Sequence, residues 1–281
     1  AYCGVRFTFR LGAKVEDNEI LYHYTSIEAL NSILQNKSIW VSDCRFLNDV
    51  KELNNAKEMF VNSLPQYAQT ALDLALHTLG FNYFHCILSL SKSPKILSQW
   101  RAYGNDGYGA ALGIRCKDLN RVHSDLKKEL VECVYHDHEG FIKSLLVMFK
   151  SEIDEIVELY NQNQAHNIFM QHFESSPDLL DRIVTQLLRV KNAAFEEEGE
   201  FRFVVHVPAN NVKTRVSNNL IIPYFEHSLI DIGDEKFSWC VTPEIWFGPK
   251  ADDRNIYAIN AFQHFRLLMG HRIHKYDCGY V

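Results

Sequence analysis

The chain of 281 residues reads as an α+β fold. Three observations predict it. Segments with the two-residue alternation of strands gather toward both ends, a long stretch with helical spacing fills the middle, and no internal repeat or low-complexity tract interrupts them. The helical stretch, 137–195, shows no sharp shift in composition. It is therefore expected as a mainly helical insertion within a single domain over 1–281.

Residues 5–11 alternate Val5, Phe7, Phe9 and Leu11, which suits a short strand or a partly ordered lead-in. Residues 21–24 form the first firm strand. Thr25, Ser26, Ile27 and Glu28 have capping-box spacing, so a helix starts there and carries Ile27, Leu30, Ile33 and Leu34 on one stripe until Asn36 and Lys37. Residues 38–42 alternate again, with Ile39 and Val41 opposite Trp40. Asn48 to Glu52 gives a second helix start, running to about Leu64, and Pro65 opens a third helix that Gly80 ends.

Residues 83–91 make the most apolar strand of the first half. Phe84, Cys86, Leu88 and Leu90 face one way; His85, Ile87, Ser89 and Ser91 face the other. A short helix or turn over 96–103, a glycine-rich loop over 104–109 and strands at 109–114 and 131–136 follow. Helices are expected over 141–160 and from Ser176, Pro177 and Asp178 onward. Strands resume at 200–207, 219–225 and 244–247. Asp252 and Asp253 cap a last helix through Leu268, and 272–276 closes as a strand.

Hydrophobic residues make up 47% and charged residues 23%, with a net charge of −6, which argues against bulk electrostatic binding of nucleic acid. The seven cysteines form no C-x-x-C pair, as expected in a reducing cytoplasm. No apolar run is long enough to span a bilayer. No phosphate loop, G-x-S-x-G or dinucleotide fingerprint is present. His136 and His138, and likewise His271 and His274, lack further ligands at a standard spacing, so no metal site is expected.

Candidate chemistry lies in three stretches. His23 sits between Tyr22 and Tyr24 at a strand end that runs into a helix start, where backbone amides are unpaired. Ser89, Ser91, Trp100, Arg101 and Tyr103 combine hydroxyls, aromatic rings and a guanidinium that could stack on a ring or meet a phosphate. Glu200 and Arg202 share one face of a strand while Phe201 and Phe203 take the other. The phenylalanines are expected in the core and the charged pair on the open side, with the arginine keeping Glu200 ionised.

These pieces resemble a bacterial family known only as a domain of unknown function: LYHYTS at 21–26, FLNDVKEL at 46–53, SLSKSPKILSQWRAYG at 89–104, GEFRFVV at 199–205 and IWFGPK at 245–250. More distantly, LYHYTS resembles the L-W-H-G-[ST] strand of ADP-ribosyltransferases of the poly-ADP-ribose-polymerase and diphtheria-toxin type. That resemblance implies a split β-sheet core and NAD as substrate. It gives His23 a ribose hydroxyl to hold, the backbone of Tyr24 the nicotinamide amide, Tyr103 or Tyr108 the stacking role, and Glu200 the catalytic carboxylate. Thr25, Ser89, Ser91, Trp100, Arg101 and Arg202 complete the expected NAD-binding set. Glu198 and Glu200 resemble the E-x-E of arginine-modifying relatives, whereas Tyr24 stands where those relatives carry glycine. The implied function is ADP-ribosyl transfer to an unknown macromolecule, by analogy a bacterial toxin or phage-defence effector. Alternatives are an NAD glycohydrolase, or a non-catalytic module on the same fold.

Overall fold

The computed structural model describes residues 16–47, 50–77, 83–119, 123, 125–162, 166–175, 178–217, 219–229, 243–264 and 272–280. The expected strand at 5–11 and the stops at Gly80 and Gly270 lie outside these residues. The strands are β1 (Ile20–Thr25), β2 (Ser38–Asp43), β3 (Tyr83–Ser91), β4 (Ala110–Arg115), β5 (Lys128–Glu132), β6 (Glu200–Pro208), β7 (Lys213–Ser217), β8 (Leu220–Ser228), β9 (Glu244–Phe247) and β10 (Arg272–Lys275). The helices are α1 (Ile27–Asn36), α2 (Val50–Asn62), α3 (Gln66–His77), α4 (Leu97–Ala102), α5 (Cys116–Leu119), α6 (His138–Met148), α7 (Lys150–Gln162), α8 (His166–Ser175), α9 (Asp178–Leu187) and α10 (Arg254–His264).

All ten strands join one open mixed sheet, ordered β10-β9-β4-β1-β3-β2-β8-β7, with β6 on β3 and β5 on β6. Among the described strands only β9 and β10 pair in parallel, which the long connection through α10 allows. The mixed α+β class is thus observed, with one sheet in place of the expected split pair. Its branch point is β3. One edge of β3 pairs with β6 along its whole length, from Tyr83↔Pro208 to Ser91↔Glu200. The other edge is shared: Cys86 and Ile87 pair with β2, and Ser91 pairs with β1. β1 and β2 therefore diverge along β3, leaving Leu88 to Leu90 between them.

Alternation in β3 and β6 sorts side chains onto two cores. Cys86, Leu88, Leu90, Phe201, Phe203, Val205 and Val207 pack with Leu30, Ile33 and Leu34 of α1. Ile87 and Val204 face α2, α3 and α6–α9, whose apolar stripes form a second core including Phe60, Leu72, Phe149, Phe169 and Ile183. The helical block between β5 and β6 thus shares its interior with α2, α3 and the sheet.

Two expectations are displaced, and two elements are additional. The helix-capping residue before α1 is Ser26, whose hydroxyl accepts from the Ala29 amide at 3.2 Å, and not Thr25. The strand expected over 131–136 is β5, three residues earlier. Val134 instead bridges to Val190. β7 and α8 were not separately foreseen. No helix is long and apolar enough to cross a membrane among the described residues.

Candidate functional site

A cleft of about 860 Å³ opens where β1 and β2 part over β3. Its lining runs from His23, Tyr24, Thr25 and Ser26 across Ser89 to Glu200, Arg202, Lys191 and Glu198. The positioning follows from the sheet. β1 ends at the N-terminus of α1, so His23 and the α1 amides share one wall. β6 starts opposite Ser91, so Glu200 and Arg202 lie beside Ser89.

Ser89 links the two walls. His23 Nδ1 lies 3.1 Å from the Ser89 carbonyl. A carbonyl only accepts, so Nδ1 carries the proton and Nε2 is left as an acceptor in the neutral ring. Burial lowers the His23 pKa, and the bond to the Ser89 carbonyl opposes this. On the other side Ser89 is the cross-strand partner of Arg202, and its hydroxyl helps to lower the Glu200 pKa. Ser89 itself is exposed although it lies mid-strand, because the diverging strands leave it open.

Glu200 and Arg202 depart from expectation. They face the cleft, but both are buried, 4% and 3% exposed. Helix α2 and the segment after α9 cover them, and alternation along a strand cannot report that. Lys191 Nζ contacts Glu200 Oε2 and lies 2.6 Å from Glu198 Oε2. Arg202 bonds to Glu200 Oε1 (3.1 Å), Glu52 Oε2 (2.6 Å) and the Leu188 carbonyl (2.6 Å). The Tyr135 hydroxyl accepts the Glu200 amide at 2.7 Å and pins the start of β6.

This pairing fixes the charge states. Burial alone would push the Glu200 carboxyl up. The Arg202 and Lys191 charges, with the Lys191 hydrogen bond and a smaller contribution from the Ser89 hydroxyl, bring it down to about 2. Burial would likewise strip Lys191 of its proton, but Glu200 and Glu198 more than reverse this. Glu198 is raised, chiefly by burial. Two carboxylates touching one ammonium are thus driven apart in acidity, a pattern that separates acid from base roles.

The remaining candidates divide. Tyr24 turns its side chain away: its hydroxyl donates to the Ser93 carbonyl (2.7 Å) and its ring packs edge-on to Trp100 at 4.9 Å. Trp100 is 0% exposed and donates to the Pro94 carbonyl, so it is a core residue rather than a stacking platform. Ser91 is buried and bonds to the Glu198 carbonyl, off the cleft. Arg101 lies over Tyr280, and Tyr108 lies beside Lys250. Neither lines the cleft, whereas Tyr103, 37% exposed, does. Thr25 lines it too, largely buried.

Sequence reasoning missed Lys191, Glu52, Trp40, Phe195 and Arg215. Trp40 and Phe195 are exposed aromatic rims. Arg215 reaches over Trp40 at 5.8 Å, donates to Ser42 Oγ at 3.3 Å, and keeps a buried Nε with no hydrogen-bond partner among the described residues. Alternation around Trp40 marked it as facing away from the core, but nothing local marked Arg215, which arrives through β7.

Residues 99–203 match the model of a family described as a protein of unknown function (DUF2971). That stretch carries Tyr103, Lys191, Glu198, Glu200 and Arg202 of the cleft. No curated protein and no solved structure matches the chain.

Proposed function

We propose that the cleft binds NAD and that the chain is an ADP-ribosyltransferase-like enzyme. One observation carries this reading: His23 and Glu200, far apart in sequence, line one cleft with Ser89. His23 Nε2 accepts from a ribose hydroxyl, the backbone at Tyr24 and Thr25 holds the nicotinamide amide, and Tyr103 covers its ring. Arg215 meets the diphosphate and Trp40 the adenine. The bond between nicotinamide and ribose breaks with its electron pair leaving on nicotinamide. The ribosyl carbon takes on cationic character, as in glycoside hydrolysis, and the ionised Glu200 stabilises it. Capture by a macromolecular acceptor gives transfer; capture by water gives NAD hydrolysis.

The test is nicotinamide release from NAD, with labelled NAD and a cell extract supplying acceptors. Wild type releases nicotinamide, and Glu200→Gln lowers kcat by about 10²-fold or more. No release and no label transfer by wild type removes the enzyme reading. A second reading is a non-catalytic nucleotide-binding module on this fold. It is favoured by the engagement of Glu200 with Lys191 and Arg202. It predicts calorimetric NAD binding without turnover.

A further inference from the structure

On the face of β3 and β6 that meets the helical block, apart from the cleft lining, three buried side chains converge. His85 and His206 are cross-strand partners in the β3–β6 register. Their rings meet edge to face at 4.7 Å. Asp181 enters from α9, its Oδ1 at 3.1 Å from both His85 Nε2 and His206 Nδ1. One donor atom from each of the three lies within 4.8 Å of the others, and all three residues are buried.

Two features distinguish this cluster from a simple clasp between helix and sheet. His206 Nδ1 is buried and, among the described residues, has no aligned hydrogen-bond partner, despite its closeness to the carboxylate. Both imidazoles therefore crowd one oxygen, and only the His85 contact has hydrogen-bond geometry. In addition, Thr185, one turn beyond Asp181 on α9, places Oγ1 at 3.1 Å from His206 Nε2. When the hydroxyl accepts from Nε2–H, the Nδ1 lone pair faces the cluster, the arrangement that an outer partner gives a metal-bound histidine.

We propose that His85 Nε2, His206 Nδ1 and Asp181 hold one divalent first-row transition ion. Ligand atoms so spaced can surround an ion at about 2.0–2.2 Å after small shifts. Two imidazoles with one carboxylate select zinc, nickel, cobalt or copper over magnesium or calcium. The second carboxylate oxygen faces Lys127, 3.9 Å away, and stays outside the ligand set. The ion ties α9 to the two strands that carry Ser89 and Glu200, and the proposal does not depend on NAD.

The test uses the whole chain, dialysed against chelator and titrated with Zn2+, then with Co2+ as a spectroscopic probe. Wild type takes up about one equivalent, melts at higher temperature with the ion, and shows a visible cobalt band from nitrogen ligation. His206→Gln abolishes uptake. Thr185→Val, which keeps every ligand and spares the variant set from resting on one fragile substitution, weakens it about 10–100-fold. Absence of stoichiometric uptake by wild type overturns the proposal, and so does uptake undiminished in His206→Gln.

Discussion

Glu200 shows how burial changes what a residue can do. Exposed at a strand start it would be an ordinary carboxylate. Packed between Lys191 and Arg202, it is locked in the charged state. Its carboxyl falls from an ordinary 4.5 to about 2, so the stability it contributes is complete above 4.5 and is lost as pH falls toward 2. That contribution is on the order of 3 kcal/mol. Glu198, raised, acts in the opposite sense, its contribution fading as pH rises through its folded value. Glu200→Gln should therefore flatten the acid limb of a plot of unfolding free energy against pH. A limb parallel to wild type in urea titrations would contradict the assignment. Trp100→Ala should cost about 3–5 kcal/mol in the same titrations, because its ring is wholly enclosed. At this scale the sequence made His23 and Glu200 legible through local motifs. The enclosure of Glu200 and the fate of Trp100 were not, since alternation reveals which face a side chain takes but not what covers that face.

Elements position these residues through a few tight contacts. The β1–α1 junction depends on Ser26 as cap, and Ser26→Ala should cost about 1 kcal/mol of stability. Gly109 allows the loop before β4 to approach β1: a Cβ there would sit 2.2 Å from the Thr25 carbonyl oxygen and 2.8 Å from that of Gly104. Both are backbone atoms, so Gly109→Ala should destabilise by about 1–3 kcal/mol, read as a lowered Tm. A Tm equal to wild type would show that the loop can yield. Long periodic elements such as β3, β6 and α9 were legible from their spacing. β7 was not: Lys-Thr-Arg-Val-Ser is short, charged and exposed at a sheet edge, as edge strands commonly are. β5 was placed three residues late because Lys128, Glu129 and Glu132 obscure its alternation, while the bridge at Val134 comes from the segment after α9.

For the molecule as a whole, β3 is the organising strand. Its full pairing with β6 and its shared pairing with β1 and β2 create both the opening and the contents of the cleft. The α+β class followed from the order of patterns along the chain. The single branched sheet did not, because long-range pairing leaves no local mark. The central claim is that this opening seats a dinucleotide with its nicotinamide-bearing ribose between His23 and Glu200. A crystal structure with a non-hydrolysable NAD analogue tests it most directly. The account predicts the ribose hydroxyls at His23 Nε2, the anomeric carbon facing the Glu200 carboxylate, and the diphosphate at Arg215. An analogue bound away from β3, or a cleft unchanged at saturating analogue, would contradict it.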